Sequence, residues 1–306
     1  MFSSQGEKAS FRNDNLILTD KEGKLKFQIT CYRIFALFII GDISITSGLI
    51  QRAKRFGFTI VLMNRGFKLY SVIGTRMEGN TLLHRKQYEY NSNELANFIV
   101  KNKIKNQRDA LNNIRNKQPA HKEAIKLLDT SLNRLNEDVL SEESLLGIEG
   151  SASRVYFPQM FSNVRWEGRK PRIKSDYVNS TLDIGYNLLF NIIDALLQVY
   201  GFDVYCGIYH KEFYMRKSLV CDLMEPARPI VDYAVRKAIN LKQFQQDDFE
   251  VINNQYVLKY KASPKYVDVF VNAVLDKKNE LFVFIQSYYR SFMKGKPASC
   301  YKEFVI

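Results

Sequence analysis

Asn91-Ser92-Asn93-Glu94-Leu95-Ala96-Asn97-Phe98-Ile99-Val100-Lys101-Asn102-Lys103-Ile104 marks a change of period in this chain. Before it, apolar residues alternate or run in short blocks. After it they recur about every 3.6 residues, the repeat of a helix with one buried face. The change places a domain boundary here, with a β-rich domain over residues 1–90 and a larger α-helical domain over 91–306. The expected fold class is α+β.

Working back from the boundary, residues 9 to 88 read as mostly strand. Leu16-Ile17-Leu18 and Leu25-Lys26-Phe27-Gln28-Ile29 flank Asp20-Lys21-Glu22-Gly23, a good hairpin turn. Ile34–Ile40, Phe58–Met63 and Phe67–Ile73 are further strands. One helix intervenes, with Ser47 as its cap, Leu49, Ile50, Ala53 and Phe56 on one face, and Gly57 as its stop.

Working forward, helices are expected over 94–104, 122–135, 141–161, 176–200 and 218–240, the last interrupted by Pro226 and Pro229. A hairpin about Asn253-Asn254 and two closing helices follow. The segment between the first two helices is polar and basic, and the stretch of Lys101, Lys103, Lys105, Arg108, Arg115 and Lys117 reads as a solvated face.

The 306 residues carry a formal net charge of +13, a field that draws nucleic acid. An anionic membrane is the rival partner, but no uncharged apolar span of about 18 residues is present. Met1–Arg12 lacks the apolar core of a signal peptide. Cys31, Cys206, Cys221 and Cys300 are scattered, which suits reduced thiols in a cytosol better than a thiolate metal site. Walker A, dinucleotide-binding and Gly-x-Ser-x-Gly motifs are absent.

Three stretches carry candidate chemistry. In Gly147-Ile148-Glu149-Gly150-Ser151, two helix-interior glycines flank one carboxylate, either to clear space for a ligand or backbone or to pack a helix tightly. Arg154 and Tyr156 follow, placed to reach a phosphate or to hold Glu149. Tyr209-His210 offers an imidazole beside Lys211, Arg216 and Lys217. In Cys221-Asp222-Leu223-Met224-Glu225-Pro226, Asp222 and Glu225 share one helix face, where a cation, or a basic partner such as Arg228, must separate them. Carboxylates with one neutral imidazole suit a hard divalent cation such as Mg²⁺ or Mn²⁺. The loop Arg165-Trp166-Glu167-Gly168-Arg169-Lys170-Pro171-Arg172 interleaves cations with an aromatic ring, as nucleic-acid contacts do or as a solvated loop would.

These stretches, with Arg154-Val155-Tyr156-Phe157, Asp176-Tyr177-Val178-Asn179 and Ser218 to Pro229, resemble in order and spacing the CRISPR-associated integrase of spacer acquisition, the Cas-one family. The motifs cover roughly 147–233. The resemblance implies a β-rich N-terminal domain that mediates homodimerisation and a helical domain holding a metal. It assigns Glu149, His210 and Glu225 as metal ligands and Asp222 as the acid beside the metal, so that all four are catalytic. Members carry either Asp or Glu at the Glu225 position. The family's strand-splitting tyrosine finds no counterpart in this N-terminal domain.

The expected activity is that of a cytoplasmic prokaryotic DNA integrase and endonuclease, joining the 3′-hydroxyl of captured double-stranded DNA to a CRISPR repeat with Mg²⁺ or Mn²⁺. A small second CRISPR-associated protein would bridge two homodimers into a heterohexamer. Arg154, Arg165, Trp166, Arg169, Lys170, Arg172, Lys211, Arg216, Lys217 and Arg228 are the candidate DNA contacts. Because the imidazole binds metal only when neutral, activity should fall at low pH. Two other readings fit the same residues: a metal-dependent nuclease or transposase-like recombinase of another pathway, and a non-catalytic nucleic-acid-binding scaffold.

Overall fold

The computed structural model describes residues 8–41, 45–74, 79–210 and 213–306. The fold is α+β: a β-rich N-terminal region precedes a larger helical one. The chain divides into two compact units, residues 1–87 with 191–203, and residues 88–190 with 204–306.

In the first unit, β1 (Lys8–Arg12), β2 (Asn15–Thr19) and β3 (Leu25–Thr30) form an antiparallel sheet. The Asp20 carboxylate accepts from the Glu22 and Lys24 amides, which shapes the expected β2–β3 turn. β4 (Ala36–Ile40) leads into α1 (Ser47–Phe56), then β5 (Thr59–Met63) pairs parallel with β4, and β6 (Leu69–Ile73) pairs antiparallel with β5. Central β5 is buried on both faces, so Ile60–Met63 is continuously apolar. β2, central in its own sheet but buried on one face only, instead alternates. Thr46, not Ser47, occupies the cap position of α1, and Gly57 ends the helix at φ 71°. Leu16, Leu37, Ile39, Leu49, Phe58 and Ile60 share one core.

The reading of 9–88 as almost all strand is corrected at α2 (Thr81–Glu89). Only Leu83 and Gln87 of this helix are buried, so it lacks an apolar stripe. Polar ties hold it instead: Gln87 makes reciprocal bonds to the backbone N–H and C=O of Asp203, at 3.0 and 2.9 Å.

The second unit holds α3 (Glu94–Asn112), α4 (Pro119–Glu137), α5 (Glu142–Met160), most of α6 (Tyr177–Val199), α7 (Ser218–Met224), α8 (Arg228–Asn240), the hairpin β7 (Phe249–Ile252) and β8 (Gln255–Leu258), α9 (Ser263–Asp276) and α10 (Lys278–Met293). Asn253 and Asn254 take the positive φ that a two-residue hairpin turn requires. α6 is long and apolar enough to cross a membrane by length and composition, but 67% of its most apolar window is buried inside the protein, as in an interior helix.

α3 packs against α4, α5, α8 and the turn between α7 and α8. It runs eight residues beyond the expected end at Ile104 because its continuing inner face is polar. Asn102 exchanges two 2.8 Å hydrogen bonds with the backbone of Phe304. Asn106 donates to the carbonyls of Phe304 at 2.9 Å and Pro226 at 2.8 Å. The C-terminal segment is thereby strapped across α3, with Phe304 buried. Pro226 sits in a 3₁₀ turn, Glu225–Ala227, that separates α7 from α8.

Gly185 of α6 marks the closest helix packing. A Cβ there would lie 2.5 Å from Val231 Cγ1 and 2.6 Å from Phe270 Cε1. Gly185→Ala is expected to cost about 1–3 kcal/mol by overpacking, read as a lower thermal midpoint with unchanged secondary structure.

Candidate metal centre

Glu149 lies midway along α5, which opens at Ser141, whose Oγ accepts the Ser144 amide at 3.3 Å. A Cβ on Gly147 or Gly150 would meet no atom within 4 Å, so this face of the helix is open rather than tightly packed. Glu149 Oε1 accepts from Lys103 Nζ, and Oε2 accepts from the Tyr209 hydroxyl at 2.5 Å. Tyr156 does not hold Glu149; it donates to Asp232 Oδ2 at 2.9 Å.

Asp222 is fully buried and gathers the segment 207–210 around itself. Its Oδ2 accepts the amides of Ile208 at 2.6 Å and Tyr209 at 3.1 Å. Its Oδ1 accepts the His210 amide at 2.9 Å and meets His210 Nδ1 at 2.7 Å. An oxygen already taking N–H donors is an acceptor, so Nδ1 carries a ring proton and Nε2 is the nitrogen left for another partner. Gly207 permits this wrap: a Cβ there would lie 2.5 Å from the His210 carbonyl oxygen and from Ser218 Cβ.

Asp222 and Glu225 thus part company despite sharing a helix face in projection. Glu225, 3% exposed, turns towards α3 and α8. Its Oε1 lies 2.9 Å from Arg228 Nε, and its Oε2 lies 2.6 Å from Lys103 Nζ, off the direction of a good hydrogen bond. The Lys103 ammonium therefore touches both Glu149 and Glu225. Burial alone would push the Glu225 carboxyl up, but Arg228 and then Lys103 outweigh it and hold it down to about 2. Burial disfavours the Lys103 charge, yet Glu225 and Glu149 raise its pKa above the ordinary value. Behind them the Arg228 guanidinium lies 4.7 Å from the Tyr186 ring centre. The Tyr186 and Tyr156 hydroxyls both donate to Asp232, whose pKa burial raises to about 6.

The basic stretch from Lys101 to Lys117 is therefore not a plain solvated face. Lys103 is buried, Lys105 pairs with Glu303, and Arg108 pairs with Asp109 and Asp129. Sequence reasoning missed Lys103 and Tyr209. The helical projection holds the signal for Lys103: Leu95, Ile99, Lys103, Asn106 and Ala110 fall in one sector of about 80°.

Among the described residues, no three or more His, Cys, Asp and Glu side chains stand together as a ready cluster for an ion. Their chemistry nonetheless fits one. Two carboxylates from α5 and the 225–227 turn already converge on one cation, and the His210 ring, held through Nδ1 by Asp222, adds a nitrogen donor to the set.

The candidate DNA contacts divide. Arg154, Arg165 and Arg172 are exposed, Arg154 with Nε 3.4 Å from the Gly150 carbonyl. Arg169 is engaged by Asn179 at 3.0 Å and Asp183 at 2.5 Å, and Lys170 by Glu167 at 2.7 Å. Trp166 is half-buried edge-on against Phe161 and Phe157, so its ring is committed to packing. Arg216 and Lys217 are half-buried after His210, Arg228 is taken by Glu225, and Lys211 lies outside the described residues.

A family model described as CRISPR associated protein Cas1 matches residues 1–272. The chain is 32% identical over 223 residues to the CRISPR-associated endonuclease Cas1 1 of Thermodesulfovibrio yellowstonii, covering 69% of this chain and 70% of that one. Its fold matches a chain of a partial Cas6-RT-Cas1–Cas2 complex with TM-score 0.84 at 23% identity, covering 99% of this chain and 96% of the other. It also matches a CAS1 protein from Thermotoga maritima with TM-score 0.66 at 20% identity, covering 94% of each.

Two outcomes follow from the geometry. Asp222→Asn turns an NH₂ towards one pair of N–H donors and should destabilise the protein by about 1–3 kcal/mol for each N–H left unpaired, as urea unfolding would show. Glu225 titrates near 4.5 when unfolded and near 2 when folded, so its contribution is complete above 4.5 and is lost as pH falls towards 2. Asp232 acts oppositely, with stability falling as pH rises from 3.8 to about 6. Glu225→Gln should therefore flatten the acid limb below pH 4.5 in unfolding midpoints while leaving the Asp232 trend in place.

Proposed function

We propose that this chain, which belongs to the CRISPR-associated Cas1 family, is a divalent-metal-dependent DNA integrase and endonuclease that joins the 3′-hydroxyl ends of captured DNA to a CRISPR repeat. The observation that carries this reading is the convergence of Glu149 and Glu225 on one cation. Glu149, His210 and Glu225 would hold Mg²⁺ or Mn²⁺. Such an ion supplies Lewis-acid polarisation of a phosphate and a lower pKa for an attacking hydroxyl.

The protein's own groups do the rest. Asp222 fixes the His210 tautomer and the course of the 207–210 segment. Tyr209 orients Glu149, and Arg228 keeps Glu225 ionised. The open face around Gly147 and Gly150 leaves room for a DNA strand to approach α5. Arg154, Arg165 and Arg172 supply exposed cations for phosphates, with Lys211 and Lys217 near His210 in sequence. Transesterification exchanges one phosphodiester for another, so no high-energy cofactor is needed.

The working assembly in this reading is cytoplasmic: a homodimer formed through the β-rich N-terminal domain, 1–90, and bridged to a second homodimer by the small second CRISPR-associated protein. One structural relative occurs in a complex that contains Cas2.

The test incubates the protein and that partner with fragment DNA and a supercoiled repeat-bearing plasmid, in Mg²⁺, Mn²⁺ or EDTA. Joining at repeat edges is expected only with metal. Glu149→Ala and His210→Ala should each lower it by at least about 100-fold, the upper range for loss of even an outer-sphere group. DNA binding with no joining or cutting in any lane would overturn the reading in favour of a scaffold.

A further inference from the structure

Lys103 stands where two proposed metal ligands meet. Its ammonium touches Glu149 and lies 2.6 Å from Glu225, while its side chain is only 10% exposed. Around it, two carboxylates face two cations, Lys103 and Arg228, so the group is neutral as it stands. A third carboxylate, Asp222, is spent on backbone amides and His210.

A divalent ion drawn to Glu149 and Glu225 would find the ammonium between them. Like charges so close together, largely shut off from water, repel strongly. The backbone beneath Lys103 cannot yield, because its neighbours Asn102 and Asn106 are locked to Phe304 and Pro226. The lysine side chain, with four rotatable bonds, can. Arg228 is a poorer candidate to move: its guanidinium is braced against the Tyr186 ring and bound to Glu225 alone of the pair.

We propose that Lys103 is a positioning residue, a resident cation that holds Glu149 and Glu225 together before the divalent ion arrives and must release them as it enters. The proposal rests on the reading of Glu149 and Glu225 as metal ligands. It gives Lys103 two effects of opposite sign: it stabilises the metal-free protein and weakens metal binding.

The test uses the full chain. Thermal unfolding in EDTA and Mn²⁺ binding, read from the EPR signal of free Mn²⁺, are measured for wild type, Lys103→Met, Lys103→Gln and Lys103→Arg. Lys103→Met should melt lower in EDTA yet bind Mn²⁺ about tenfold more tightly, within the usual range for coupled sites. Lys103→Gln should shift both quantities in the same directions and serves should the methionine variant not fold. Lys103→Arg, which keeps the charge, should bind Mn²⁺ much as wild type does. Neutral variants that bind Mn²⁺ equally or more weakly would make Lys103 a mere support and overturn the proposal, leaving the metal site intact. Absence of Mn²⁺ binding by wild type and variants alike would overturn both.

Discussion

A carboxylate enclosed as completely as Glu225 has to find its counter-charge inside the protein, because solvent cannot supply it. Much of the helical unit answers that requirement. Arg228 comes from the first turn of α8, Lys103 from the middle of α3, and both reach Glu225 within 3 Å. Arg228 in turn rests on Tyr186, and Tyr186 on the buried Asp232. The Asn106 bond to the Pro226 carbonyl fixes the turn on which Glu225 sits. One ionised group thus recruits side chains from α3, α6 and α8, and the same residues bring Glu149 of α5 to it through Lys103.

The two acids of the Asp222–Glu225 pair have separate work because of Pro226 and the 3₁₀ turn after α7. Asp222 is surrounded by hydrogen-bond donors and sets the shape of the chain around His210. Glu225 is surrounded by cations, Lys103 on one side and Arg228 on the other.

The strand at Phe58–Met63 and the start of α3 were legible because burial there is apolar, and the strand at Leu25–Ile29 because the Asp20–Gly23 turn sets it off. The far half of α3 was not, because its inner face is built from Asn102, Lys103, Asn106 and Gln107, residues that read as solvated until their partners are known. α2 escaped for a related reason: it is held by Gln87 and Asp203 rather than by an apolar stripe. At the site, Glu149, His210, Asp222 and Glu225 stood out by their settings in the sequence. Lys103 and Tyr209 reach them from elsewhere in the chain or from an unremarked neighbour, and long-range pairing of that kind has no local pattern. Trp166 shows the converse, an aromatic residue in a basic loop whose ring is used for packing.

The wrapping of the 207–210 segment about Asp222 also bears on how that stretch moves. Surface connections usually open independently of the core beneath them. Here three successive amides, Ile208, Tyr209 and His210, are all bound to one fully buried carboxylate borne by α7. Releasing any of them exposes an ionised group that the interior cannot otherwise neutralise. The segment therefore belongs, energetically, to the cooperative unit of α7: it stays closed while that helix is folded and opens when that helix does. A histidine on irregular backbone acquires in this way the positional steadiness of one on a helix.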